Sequence, residues 1–235
     1  MRYMTPEQRK KRCAGVAGPR FFDEDRVVRA AAWVLSILLA VVFLLMASVA
    51  HGREIPSGVL RYAPDVIRES QAYEGLNGYP ATRIAQMWQE SQGNPNAKSP
   101  VGARGLYQFM PATSKWLGEI MPDLGIADPY NPKWAIRAGI RYQVKLEKKH
   151  RACPECAKVW YGLREYNGGG LKKDLDQLES WGFDRCDYIN ADKANGRKRT
   201  EASIHENTGY PKAIVLKWQP FVVKRFMVRG VDCGR

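Results

Sequence analysis

Glu90-Ser91-Gln92-Gly93-Asn94-Pro95-Asn96-Ala97-Lys98-Ser99-Pro100-Val101-Gly102-Ala103-Arg104-Gly105-Leu106-Tyr107-Gln108-Phe109-Met110-Pro111 is the stretch from which the rest of this chain is read. Ahead of it, Pro80 suits a first helical position, and Ile84, Ala85, Met87 and Trp88 form one apolar helical face. That helix ends at Glu90-Ser91 with a single carboxylate. Residues 94–105, dense in Asn, Pro and Gly, predict a loop. Pro111 then opens another helix through Trp116 to Met121.

The same periodicity continues outward. Pro64-Asp65 with Val66, Ile67 and Tyr73 predicts a helix ending near Gly75 and Gly78. Asn131-Pro132 starts a long one through Trp134, Ala135, Ala138, Ile140, Tyr142 and Leu146. It closes in Lys148-Lys149-His150, whose positive charge complements a helix C-terminus. A further helix is expected over Ala157 to Glu165, stopped by Asn167-Gly168-Gly169-Gly170, and one or two more over Tyr210 to Phe226. Residues 190–205 are polar and weakly patterned and read as a surface excursion. No alternating strand pattern or internal repeat occurs, so the expected class is all-α.

Residues 30–50, from Ala30 to Ala50, carry no charge and hold thirteen large apolar residues, six alanines and two serines. As a helix, this run is about 31 Å long, enough to span the hydrocarbon core of a bilayer. Residues 1–29 hold eight Lys/Arg and four Asp/Glu, with Arg26 and Arg29 directly before the apolar run. The positive-inside rule therefore places residues 1–29 as a cytoplasmic basic tail, residues 30–50 as a single-pass signal anchor in the inner membrane, and everything later outside. A cleavable signal peptide competes, because Ser48-Val49-Ala50 is an acceptable small-x-small site. Residues 51–57 read as a tether and 58–235 as the exported domain.

The chain has a net charge of +13. Beyond residue 50, 29 basic and 20 acidic side chains leave +9, which on an exported domain favours acidic polymers or anionic lipids over nucleic acid. Cys13 falls on the reducing side, whereas Cys153, Cys156, Cys186 and Cys233 fall where disulfides persist. Four cysteines allow three pairings, and the sequence does not choose among them. Cys153-Pro154-Glu155-Cys156 lacks the second pair a zinc site needs and the βαβ context of a redox motif. His51, His150 and His205 are scattered, with no two-His metal pair and no nucleophile triad. The glycines at 168–170 follow a helix instead of preceding one, so they form no phosphate cradle. No metal or other cofactor is expected.

The Glu90 to Pro111 run resembles the catalytic core of the family 1 lytic transglycosylases, the SLT-domain enzymes of the lysozyme superfamily. The resemblance covers about residues 60 to 220. Asn131-Pro132 to Gly139 resembles the family's Asn-Pro-x-x-Ala-Ile-x-Ala-Gly helix, and Glu165-Tyr166-Asn167-Gly168-Gly169 its Ala-Tyr-Asn-Gly-Gly segment. Glu206-Asn207-Thr208-Gly209-Tyr210 resembles a late Glu-Thr-x-x-Tyr element. The resemblance implies a lysozyme-like helical domain that cleaves peptidoglycan between N-acetylmuramic acid and N-acetylglucosamine and leaves 1,6-anhydro ends. It implies Glu90 as acid and then base, and Ser91, Ser99, Gln108, Met110, Tyr166, Asn167 and Tyr210 as substrate contacts. Departures from the pattern are Tyr107, Phe109, Glu165, Arg104 and Asn207.

Cutting a glycosidic bond near neutral pH needs a carboxyl of raised pKa, obtained by apolar burial or nearby negative charge. Glu90 lies at a helix C-terminus, which disfavours ionisation, and Trp88, Tyr107, Phe109 and Met110 are expected to wall it. Ser91 is expected to steady it by a hydrogen bond. Two alternatives stand beside the transglycosylase: a lysozyme-like hydrolase, and a non-catalytic wall-binding part of an envelope-spanning machine. Phage lysis, wall opening for conjugation or secretion, and wall turnover all employ such domains.

Overall fold

The computed structural model describes residues 54–168, 171–196 and 198–234. The expected membrane span at 30–50 and the basic tail at 1–29 lie outside them. No described helix is long and apolar enough to cross a membrane.

Helix α1 runs Ser57–Glu74 and α2 Pro80–Ser91; then come α3 Pro111–Ile120, α4 Pro132–Glu147 and α5 Glu155–Gly168. Three further helices, α6 Lys172–Ser180, α7 Tyr188–Ala191 and α8 Glu201–Pro211, lead into a π-helical segment Lys212–Trp218 and α9 Gln219–Phe226. The described residues hold no β-strand, only isolated antiparallel bridges pairing Arg104 with Lys98 and Phe109. The domain is therefore all-α, as its periodicity predicts.

Helix α2 is the central element. Every residue from Pro80 to Trp88 is buried, because α1 covers one side and the π segment and α9 cover the other. Its predicted start at Pro80 holds, although no side chain caps it. Instead, the C-terminal tail does so: Ala81 N–H donates to the Arg229 carbonyl at 3.0 Å. Helix α4 begins as its Asn-Pro pair predicts, with Asn131 Oδ1 accepting from Lys133 and Trp134 N–H. It packs on both α1 and α5.

Two expectations are corrected. Helix α1 begins at Ser57, not near Pro64, which lies inside it. Val59, Tyr62, Ala63, Val66 and Ser70 make its buried stripe, while Pro64 and Leu60 are exposed, so the carbonyl that Pro64 cannot bond faces water. Residues 190–205 are not a loose surface excursion. Ala191 and Ala194 are fully buried, and Asn195 and Arg199 are bonded back onto the domain. A knot of polar groups holds this region: Arg164 of α5 meets Asp174 of α6 at 3.1 Å, and Arg199 meets both Asp174 at 2.5 Å and Asn207 at 2.8 Å. Asn207 also spans α8 and α5, accepting from Arg164 Nε and donating to the Arg164 carbonyl. Its departure from the family's threonine thus has a structural role.

Cys153, Cys156, Cys186 and Cys233 pair as Cys153–Cys186 and Cys156–Cys233, with Cα separations of 5.3 and 5.0 Å. The second staples the tail that caps α2 to the start of α5. Its sequence separation of 77 makes loop-closure entropy its main effect, about 2–4 kcal/mol. Replacing Cys156 and Cys233 together by serine is expected to lower the free energy of unfolding by that amount, with a matching fall in the urea midpoint. An unshifted midpoint, or more free thiols titrating in the unfolded wild-type chain than the one that Cys13 supplies, would remove this bridge from the fold.

Candidate active site

Helix α2 delivers Glu90 to the edge of a cleft of about 910 Å³ whose other walls come from the start of α1 and the loop after α2. Two close approaches make the site. Gly93, in a left-handed conformation with φ of 76°, lies backbone-to-backbone against Gly58 at the start of α1, where an added Cβ would sit 2.5 Å or less from the other chain. Gly105, with φ of 75°, lets the loop press on the Pro129 carbonyl. The loop is well ordered, with Arg104 and Phe109 exchanging backbone hydrogen bonds of 2.9 Å each and Gly105 N–H reaching Ala97 O at 2.9 Å.

The Glu90 carboxyl faces phenols on its protein side and the cleft on the other. Tyr210 of α8 donates its hydroxyl to Glu90 Oε1. Burial raises the pKa of Tyr166 of α5 and Tyr107 of the loop, and both lie close enough for the Glu90 charge to raise it further. Burial pushes the Glu90 carboxyl from 4.5 up to about 7, and the Tyr210 hydrogen bond moderates the rise. Among the described residues lining the cleft, Glu90 is the only carboxylate, and Arg61 and Lys98 supply positive charge.

The expected wall is thus partly replaced. Tyr107 is in place, fully buried, with its hydroxyl on the Arg83 carbonyl at 3.1 Å. Trp88 instead stacks on Trp218, with ring centroids 4.6 Å apart. Phe109 is buried among Trp134, Tyr142 and Tyr166. Met110 stands exposed at the start of α3.

Ser91 does not bond Glu90. Its hydroxyl donates to the Leu106 carbonyl at 2.8 Å and accepts from Gly93 N–H, tying the loop to the end of α2. Ser99 closes a turn by accepting from Ala103 N–H at 3.0 Å. Gln108 lines the cleft, and its amide donates to the Gly105 and Ala97 carbonyls at 2.9 and 3.2 Å. Tyr166 donates to the Tyr107 carbonyl at 2.7 Å and stacks parallel to Tyr210, with centroids 6.4 Å apart. Asn167 is exposed at the end of α5. The structure therefore gathers Glu90, Tyr166 and Tyr210 into one cluster and puts Gln108 and Ser91 on the cleft floor. It leaves Ser99, Met110 and Asn167 outside that cluster.

Two groups that sequence reasoning missed, Gln86 and Gln89, complete the surroundings, and the departure at Glu165 finds its partners elsewhere. Gln86, fully buried one turn before Glu90, reaches the Tyr210 hydroxyl. Gln89 lines the cleft and accepts from Trp218 Nε1 at 2.7 Å. Glu165 accepts from Lys149 at 2.6 Å and lies 3.3 Å from His150, so its charge is paired away from the cleft. The one signal for Gln86 was its place at i−4 from Glu90, a polar residue on the buried face of a helix.

A family model described as the transglycosylase SLT domain matches residues 67–180. Membrane-bound lytic murein transglycosylase F of Shewanella pealeana is 36% identical over 96 residues, 40% of this chain and 19% of that protein. The Yersinia pestis protein of the same name is 39% identical over 83 residues, covering 35% and 16% respectively. The chain thus spans about a fifth of the length of the curated relatives it matches. Among solved structures, the 70 kDa soluble lytic transglycosylase of Escherichia coli superposes on 71% of this chain and 24% of its own, with a TM-score of 0.53 at 23% identity. A lytic transglycosylase of Pseudomonas aeruginosa covers 91% of this chain and 33% of its own, with a TM-score of 0.51 at 18% identity. At these identities the structural likeness concerns the fold alone. The region around Glu90 thus matches the transglycosylase SLT domain in sequence and is similar in fold to these lytic transglycosylases.

Proposed function

We propose that the chain is a membrane-anchored peptidoglycan lytic transglycosylase in which Glu90 is the catalytic group. The observation that carries this reading is a lone cleft carboxyl held near pH 7 by burial and hydrogen-bonded to a phenol. Most glycosidases use two carboxylates, and a site with one relies on the substrate for the second role.

In the ground state Glu90 is protonated. It donates its proton to the glycosidic oxygen as the bond from the muramic acid C1 breaks. The resulting carboxylate is the species that Tyr210 stabilises, because a hydrogen bond to an ionised acceptor is the stronger one. The carboxylate then takes the proton of the C6 hydroxyl while O6 bonds to C1. Glu90 ends protonated as it began, and no water is consumed. The substrate's N-acetyl group, as the family resemblance implies, supports the positive charge at C1. Arg61 and Lys98 suit the acidic stem peptides of peptidoglycan.

Two disulfides favour an oxidising compartment. With the uncharged run at 30–50, they support an inner-membrane anchor and a periplasmic domain. The relatives carry "membrane-bound" in their names, which agrees with this reading.

Mass spectrometry of muropeptides released from purified sacculi tests the reaction. Anhydro ends are expected; ends carrying an added water would make the domain a hydrolase, and binding without release would make it a wall-binding module. Glu90→Gln is expected to lower release by roughly 10²–10⁴-fold, the usual contribution of a general acid.

The pH dependence follows from the direction of the shift. The acid form is lost as pH rises through about 7, so kcat/KM should fall on an alkaline limb near that value. A carboxyl raised in the folded state contributes its stability below 4.5 and loses it as pH rises to about 7. Glu90→Gln should therefore match the wild type near pH 4 and exceed it at pH 8 by about 1–3 kcal/mol. Equal unfolding midpoints at pH 8 would contradict a buried, raised carboxyl.

A further inference from the structure

The Tyr210 hydroxyl that meets Glu90 has a second neighbour. Gln86 Nε2 lies 3.4 Å from it and 3.3 Å from Gln143 Oε1 of α4. Gln143 Nε2 in turn donates to Glu147 Oε1 at 3.1 Å, and Glu147 is held in a two-pronged pair by Arg83 at 2.7 and 2.9 Å. All of these side chains except Tyr210 and Glu90 lie deep in the interior.

The polarity of this chain is set from one end. Glu147, paired with Arg83, accepts only, so the Gln143 amide must turn its N–H toward it and its oxygen toward Gln86. Gln86 must then present its NH₂ group to Gln143, and the second hydrogen of that group points to the Tyr210 oxygen. With its oxygen receiving a donor, Tyr210 is left to direct its own proton at Glu90. The arrangement has a visible cost, since Gln86 Oε1 is buried with no hydrogen-bond partner among the described residues. A buried, half-satisfied amide is destabilising and is not what packing alone would select. Gly162 of α5 makes room for the chain: a Cβ there would lie 2.7 Å from both Gln143 Nε2 and Glu147 Cγ.

We infer that Gln86 is a positioning residue for the acid: anchored through Gln143 to the Arg83–Glu147 pair, it orients the Tyr210 hydroxyl so that Tyr210 donates to Glu90. This rests on the reading of Glu90 as the catalytic acid and deepens it, because it specifies what steadies the carboxylate between its acid and base steps. The other groups that face Glu90 are Tyr107 from the loop and Tyr166 from α5, with Arg61 of α1 and Lys98 of the loop on the cleft. None of these four changes when Gln86 is replaced.

The test is Gln86→Met, which keeps the length and apolar bulk of the side chain and removes the donor. Without its donor Tyr210 is a weaker partner for the carboxylate. The Glu90 titration, followed by carboxyl ¹³C NMR without substrate, should move up by about half to one pH unit. The alkaline limb of kcat/KM should move with it, and kcat should fall about tenfold. Thermal stability should be kept or raised, since the unpartnered oxygen is gone. Gln143→Met, which frees the same amide from its far side, should shift the titration in the same direction. Tyr210→Phe should shift it at least as far, and Gln86→Met added to Tyr210→Phe should shift it no further. An unmoved titration in both glutamine variants, or additive shifts in the double variant, would overturn the assignment. Because the NMR titration needs no turnover, a wild-type protein that released nothing from sacculi would sink the enzymatic reading while Gln86 was still judged.

Discussion

Arg83, with no exposed surface, is the contact on which the rest of this domain depends. It sits in the central helix α2 and binds Glu74 at the end of α1 and Glu147 at the end of α4. Burial alone would discharge it, but the two carboxylates hold it firmly charged. Such a cluster contributes little net stability compared with apolar packing. Removing one partner, however, leaves buried charge uncompensated and costs about 3–5 kcal/mol. What the cluster supplies is registration: three helices can meet only where their charges meet. Tyr107 joins the same point through the Arg83 carbonyl, so the loop after Glu90 is hung from it as well.

The second half of the domain is organised by the same device. Arg164 on α5 gathers Asp174, Asp192 and Asn207 from three later segments, and Arg199 closes over Asp174. These residues turn a stretch of unremarkable polar sequence into a fixed frame for α8, and α8 carries Tyr210. The π-helical segment that follows brings Trp218 onto Trp88 and Gln89 at the cleft edge. The tail then returns to cap α2, with the Cys156–Cys233 bridge holding its end. Both ends of the helix that bears Glu90 are thus positioned by segments remote in sequence.

That division explains what could be read from the residues in order. Helices α2 and α4 were legible almost to the residue, because Pro80 and Asn131-Pro132 are local start signals that act within one turn. Helix α6 and the region from 188 to 199 were not, because their cohesion comes from Arg164 and Arg199, and long-range ion pairs leave no periodic trace. The sequence implied a raised pKa for Glu90, and burial does push it up to about 7, but its wall was assigned by proximity in sequence. Trp88 precedes Glu90 by two residues and so points about 200° round the helix, away from it. Tyr210, which touches Glu90, came only from a motif over a hundred residues later. Ser91 follows the same logic: an adjacent residue faces elsewhere, and its hydroxyl found Leu106 instead.

Glu147, paired with Arg83 in the interior, and Glu90, whose carboxyl on the cleft is pushed up to about 7, belong to one connected chain of hydrogen bonds. Arg83 and Glu90 are seven residues apart on the same face of α2, about 10 Å along the axis, close enough for an unpaired guanidinium to favour the Glu90 carboxylate. Arg83 is not unpaired. With Glu74 and Glu147 it forms a group of net charge −1, so the field it sends along the helix does not acidify Glu90. The groups set directly around Glu90 are phenols, which can donate a hydrogen bond without bringing a positive charge. A lysine in place of Tyr210 would hold the carboxylate better and would for that reason abolish the neutral acid that the first step of cleavage requires. The cluster that registers the helices and the tyrosines that back Glu90 are therefore one electrostatic arrangement. It confines full positive charge to sites that must stay ionised and offers the acid only neutral donors, which it can leave and regain within one turnover.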